Sequence, residues 1–171
     1  MTKTEITYNL PQKVGDYYIR EANSIDHCIR ANWPDYPDEY VLFNSSSRFL
    51  KFEEQINKFR DKITDNNIIL SVLSSNGILV GHFSILQIDW KEKKIGNMGI
   101  RIHPNYCNKG VGSLILEWIS NFFHSHGFLQ IKLDVLSSNK RAIRCYEKVG
   151  FRSIENVIEK SESFTIMQKI L

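Results

Sequence analysis

The chain alternates between two apolar rhythms. Over residues 110–126 the apolar positions Val111, Leu114, Ile115, Trp118, Ile119 and Phe122 recur at three- and four-residue spacing, the stripe of an amphipathic helix, and Gly127 ends it. The same rhythm marks a helix over 49–62, through Phe52, Ile56 and Phe59, and a helix over 139–149. Ser24 is placed to cap a short helix over 25–31. Between these lie short β-rich runs at 17–20, 67–73, 78–90, 95–102, 129–136, 151–155 and 163–170. Asn76-Gly77 marks a hairpin, and the charged run 91–94 a second turn. Residues 1–16 carry only weak signals, with Pro11 and Gly15 as breakers. The order is a strand, two helices, a three-stranded meander, then helix, strand, helix and two strands. This predicts a mixed α/β fold without the strict alternation of a doubly wound sheet. No repeat or linker divides the chain, so residues 1–171 are read as one domain.

Composition adds little and excludes several classes. The 171 residues carry a net charge of +3, with lysine and arginine scattered among acids, which does not suit a nucleic-acid surface. No apolar run is long enough to span a bilayer, and the polar start Met1-Thr2-Lys3-Thr4-Glu5 lacks the apolar stretch of a secretory signal, so the expected location is the cytoplasm. Cys28, Cys107 and Cys145 are far apart and share no metal-ligand spacing, and none of the five histidines completes one, so no metal is expected.

The chemistry concentrates where the most regular helix begins. Gly110 and Gly112 sit at its start although glycine costs about 1 kcal/mol against alanine in a helix. The first four amides of a helix have no partner inside it and carry partial positive charge, and glycine lets an anion approach them. Lys109 adds a cation at the rim. The stretch is neither a P-loop nor a dinucleotide fingerprint. A tight turn packed close to a sheet and a phosphate cradle both fit this spacing.

The segment His103-Pro104-Asn105-Tyr106-Cys107-Asn108-Lys109-Gly110-Val111-Gly112 and its helix resemble the acyl-CoA signature of the GCN5-related N-acetyltransferases, Arg/Gln-x-x-Gly-x-Gly/Ala. A second block, residues 139–151, also resembles the family at the expected separation. Together they cover about residues 68–155, the expected cofactor-binding core. The resemblance implies a central, mostly antiparallel twisted sheet with one splayed parallel strand pair, flanked by about four helices. It implies an enzyme that transfers an acetyl group from acetyl-CoA to a primary amine of a small molecule or peptide, by direct attack in a ternary complex. The pantetheine arm would pair with the edge of Ile100, Arg101 and Ile102. The diphosphate would lie on the amides of Asn108, Lys109, Gly110, Val111, Gly112 and Ser113, with Cys107 beside them in the cofactor site. Asn139 and Ala142 would contact the pantetheine arm, and Tyr146 would approach the sulfur as the acid. By periodicity alone Tyr146 is equally a core residue of the stripe Ala142, Ile143, Tyr146, Val149.

Two positions depart from the family pattern. Cys107 stands where glutamine or arginine is usual; it reads as a small buried side chain rather than a nucleophile. Asn97 stands where many relatives carry a glutamate, leaving the base open among a water chain, His82, Asp89 and Glu92. That substitution also keeps a non-catalytic acyl-CoA sensor or interaction module as the alternative. The loop Trp33-Pro34-Asp35-Tyr36-Pro37-Asp38 falls where the family commonly shapes its acceptor site. Its acids and aromatics, Trp33, Asp35, Tyr36 and Asp38, suit a cationic amine, and equally suit a solvated loop with its rings tucked on the core. Relatives often dimerise, which makes the strand 164–168 a candidate for pairing between subunits.

Overall fold

A computed structural model describes residues 2–37 and 49–171. Its first element has no apolar rhythm: α1 (Lys3–Thr7) has five residues and one buried side chain, Ile6. A capping box closes it, with the Glu5 carboxylate accepting the Thr2 N–H at 2.7 Å. β1 (Gln12–Val14) and β2 (Tyr17–Glu21) form a hairpin. α2 (Ser24–Ala31) is capped by Asn23 rather than Ser24: the Asn23 side chain accepts the Asp26 N–H at 2.9 Å, and the Asp26 carboxylate accepts the Asn23 N–H at 2.9 Å. The reciprocal pair satisfies two helix-end donors at once, which a serine one residue later cannot do. α3 (Phe52–Arg60) is shorter than its apolar spacing suggested.

The meander follows as β3 (Ile68–Ser74), β4 (Leu79–Asp89) and β5 (Lys94–Ile102). A one-turn 3-10 segment (Pro104–Tyr106) leads to α4 (Val111–Ser125). β6 (Gln130–Leu136), α5 (Lys140–Lys148), β7 (Arg152–Glu159) and β8 (Glu162–Ile170) complete the described chain. The eight strands form one sheet in the order β1-β2-β3-β4-β5-β6-β8-β7. Every neighbouring pair is antiparallel except β5 and β6. That parallel pair is joined only at Lys94↔Gln130 and Ile95↔Ile131, and its later residues part. β8 lies between β6 and β7 and is paired along both edges, so the strand 164–168 is not an edge open to another subunit.

Strand parity assigns the two faces of the sheet. Leu70, Phe83, Ile85 and Met98 join Ile115, Leu116, Ile119 and Phe123 of α4 in the core, each such side chain contributing roughly 1.5–3 kcal/mol on burial. Arg20, Ser71, His82 and Arg101 lie in one cross-strand row on the other face, which α2 covers through Asp26. At Gln87 (φ 55°) the alternation of β4 changes phase, so Ile85 and Ile88 are both buried. Gly96 opposite leaves room for this, because a Cβ there would meet the Gln87 side chain at 2.9 Å. No helix among the described residues is long and apolar enough to cross a membrane.

Candidate active site

The parting of β5 and β6 opens a cavity of about 960 Å³. Main-chain pairing decides what β5 presents to it. The His103 N–H donates to the Val80 carbonyl at 2.9 Å, and antiparallel ladders alternate, so Arg101 and Gly99 also direct their main chain to β4. Ile100 and Ile102 therefore turn theirs toward the gap. The Tyr36 hydroxyl donates to the Ile102 carbonyl at 2.6 Å.

The α4 end of the cavity is lined by Cys107, Asn108, Gly110, Gly112 and Ser113. Asn108 (φ 59°) and Gly110 (φ 80°) are both left-handed, which bends the chain from the 3-10 turn into the helix. The two glycines have different causes. Gly110 is fixed by its backbone conformation and has open space where a Cβ would be. A Cβ at Gly112 would meet Cys145 Sγ at 3.3 Å, so this glycine lets α4 approach α5. Cradle and close packing, which the sequence left as alternatives, thus coexist at one helix start. Gly110, the N-cap of α4, offers no side-chain cap, whereas Asn139 caps α5 by accepting the Ala142 N–H at 3.1 Å. The first amides of α4 are left to an outside acceptor.

The remaining residues expected at this end divide. Asn139 and Ala142 line the cavity, and Arg101, expected with the cofactor arm, lines it from the sheet face that carries His82, toward α2. The Val111 side chain is core, 1% exposed, so only its main chain can serve a ligand. Lys109 does not line the cavity; its ammonium sits 5.5 Å from the centre of the Tyr106 ring. The Cys107 thiol points at the carbonyls of Ile102 and His103, at 3.8 and 3.7 Å, and burial raises its pKa, which suits a tie within the turn. Arg141, Arg144 and Lys148 also line the cavity. Sequence reasoning passed over them, although their three- and four-residue spacing puts them on one stripe of α5.

Tyr146 is buried in the wall of the cavity, with its ring 5.8 Å from Phe151. Burial, then Cys145 and Asp134, raises its phenol above the usual value, so it keeps its proton at neutral pH. Asn97 donates through Nδ2 to Asp134 Oδ1 on β6, across the parting strands. Asp134 was not among the expected bases. Its signal was parity alone: Leu133 and Val135 are buried on the core side, which turns Asp134 to the face of Asn97.

The other end is lined by Arg30, Tyr36, Lys62, His82, Ser84 and Leu86. Of the expected acceptor residues only Tyr36 lines it. Trp33 is buried edge-on against His103 with ring centres 5.2 Å apart, and Asp35 is exposed away from the cavity. Asp38 lies outside the described residues. His82 is 4% exposed; burial, then Arg30, His27 and Lys62, lowers its pKa to about 3. His27, whose ring centre is 5.9 Å from that of His82, is lowered to about 4, first by burial and then by Arg30. Both imidazoles are neutral at physiological pH.

A mostly antiparallel sheet opened at one parallel pair is the architecture the two sequence blocks implied. The acetyltransferase (GNAT) family model matches residues 25–151, and the chain belongs to that family. The chain is 33% identical over 79 residues to the [ribosomal protein bS18]-alanine N-acetyltransferase of Escherichia coli K12, covering 46% of this chain and 51% of the relative. It thus spans about half the length of the curated relatives it matches. Its fold is similar to that of the spermidine N-acetyltransferase from Vibrio cholerae in complex with CoA and spermine (TM-score 0.75, 18% identity, 91% of this chain and 95% of that one). It is also similar to the ribosomal-protein-S5-alanine acetyltransferase from Vibrio fischeri (TM-score 0.66, 13% identity, 95% and 97%).

Proposed function

We propose that this protein is an acetyl-CoA-dependent N-acetyltransferase acting on a primary amine of a small molecule or peptide. The observation that carries the reading is the uncapped start of α4 at the mouth of the gap between β5 and β6, with Tyr146 in its wall. The relatives named above act on amines, and one similar structure holds CoA.

The residues present fit acetyl-CoA, which when bound would supply the thioester carbonyl. The amides of Val111, Gly112 and Ser113 suit its diphosphate, and the main chain of Ile100 with the Ile102 N–H, turned to the gap, suits the amides of its arm, the Ile102 carbonyl being engaged by Tyr36. Arg141, Arg144 and Lys148 add positive charge nearby. At pH 7 about one primary amine in a thousand or fewer is neutral, so the acceptor must lose a proton before attack. In this reading Asp134, held by Asn97, takes it. Tyr146, which burial keeps protonated, gives a proton to the leaving sulfur.

The test is release of free thiol from acetyl-CoA in the presence of a panel of amines and N-terminal peptides. At least one acceptor accelerates release, and Asp134→Asn lowers kcat about 100-fold for it. Binding of CoA with no acceptor-dependent release would contradict the enzymatic reading.

A further inference from the structure

We propose that the acceptor is a small amine that also carries an anionic group, a carboxylate or a phosphate, received by Arg30, Lys62 and Arg101. The proposal rests on the acetyltransferase reading and deepens it. Three cations from three elements meet at the α2 end of the cavity: Arg30 from α2, Lys62 beyond α3, and Arg101 from β5. The register of the sheet sets Arg101 beside His82, and the Arg30 guanidinium lies 3.5 Å from the His27 ring nitrogen. The cations are close enough to disturb one another. Desolvation lowers the Arg30 pKa to about 10, with Arg101 adding to the effect, and Lys62 is lowered by desolvation and then by Arg30 and Arg101.

Nothing described in the protein balances this charge. Asp26, the nearest carboxylate on α2, is already engaged by the Arg20 guanidinium at 2.6 and 2.8 Å, by the Ser71 hydroxyl at 2.9 Å and by the Asn23 N–H. Asp134 is on β6 with Asn97. No carboxylate among the described residues forms an ion pair with Arg30, Lys62 or Arg101. Two polar atoms at this end are also unsatisfied. Arg30 is only 8% exposed and its Nε has no partner; His82 is 4% exposed and its Nε2 has none. Arg30 is the buried member of the three, and a buried cation is ordinarily paired because desolvation without a counter-charge is unfavourable. An anion on the acceptor supplies that counter-charge during binding. It also orients the molecule, because its anion goes to the α2 end and its amine is left toward Asp134. A polyamine, carrying only positive charge, meets three like charges here.

The diphosphate of CoA does not account for the cluster. It has the free amides of α4, with Arg144 and Lys148 of α5 also lining the cavity, while Arg141 lies over the Tyr36 ring at 5.5 Å, between those amides and the cluster.

Three amines with the same four-carbon backbone test the assignment: γ-aminobutyrate, butylamine and putrescine, which end in an anion, a methyl group and a cation. Phosphoethanolamine against ethanolamine distinguishes phosphate from carboxylate. We expect kcat/KM for the preferred anionic amine to exceed that of its neutral partner about tenfold or more, with putrescine the poorest. Lys62→Gln and Arg101→Gln each collapse that ratio, mainly through KM. Lys62 is exposed at the rim, so its variant remains informative if an Arg30 variant fails to fold. Equal rates across the three amines, or a preference for putrescine, overturn the proposal. If no amine releases thiol, the acetyltransferase reading fails and the anion site is judged by calorimetry with γ-aminobutyrate and phosphoethanolamine. Binding that both variants weaken upholds the site, and absence of binding overturns it.

Discussion

The two ends of the cavity share strand β5 but use it in opposite ways. At the α4 end the strand offers its main chain, through Ile100 and Ile102, beside the free amides of a helix. Toward the α2 end it offers a side chain, Arg101, set beside His82 of β4 in a cavity that Arg30 of α2 and Lys62 also line. A ligand held by backbone needs only a local conformation: a left-handed turn, a small residue and a strand that loses its partner. A ligand held by side chains needs residues that are distant in sequence. One end can therefore be shared across a family while the other changes from one member to the next.

The largest effect expected is at the junction of the two ends. Tyr146→Phe lowers kcat by about 100-fold or more while leaving CoA affinity within about twofold, because only the transferable proton is removed. Steady-state kinetics with calorimetry checks this, and an unchanged kcat would make Tyr146 a core residue only. Next is the α4 end alone. Gly112→Leu presses on Cys145 and on the start of α4, and weakens CoA by about 30-fold, about 2 kcal/mol, with the circular dichroism spectrum preserved. The same substitution leaves anionic acceptor selectivity in place if the ends act separately.

The α2 end makes its own contribution to pH dependence. His27 and His82 are neutral in the fold, at about 4 and about 3, whereas an unfolded chain protonates them near 6.5. Stability is therefore full above that value. It falls on acidification by about 1.4 kcal/mol per pH unit for each ring, until the folded values are reached. Denaturation midpoints compared at pH 7.5 and 5.5 show this loss, and His82→Gln removes about half of the slope. The smallest effect is Asp35→Asn. Asp35 does not line the cavity, so kcat/KM changes by less than about twofold. A larger rise in KM would return the loop to the acceptor site.

The same division explains what was readable in the sequence. The helix 110–126, the meander and the two blocks that frame the gap are each contiguous, and periodicity or glycine placement marks them directly. α1 and β1 escaped notice because five and three residues are too few to establish a period. Asn23 and Ser24 are both good caps by type, and only the reciprocal bond with Asp26 decides between them. The reason for Gly112 lay in a cysteine 33 positions away, across the α4–α5 contact. Arg30, Lys62 and Asp134 have no spacing in common, and only the packing of α2, α3 and β6 around β5 brings them to the cavity of Arg101. The acidic loop drew attention because its acids and aromatics are adjacent, but adjacency along the chain did not become convergence: Tyr36 turns in and Asp35 turns out.

The account depends on main-chain recognition at the start of α4 and along the free edge of β5. Amide nitrogen–proton correlation spectra recorded during a titration with CoA address this directly. The account predicts saturable shifts concentrated at residues 108–113 and at Ile100 and Ile102, complete at one equivalent of ligand. Shifts that stay unsaturated, or that gather at another part of the sheet, would contradict it.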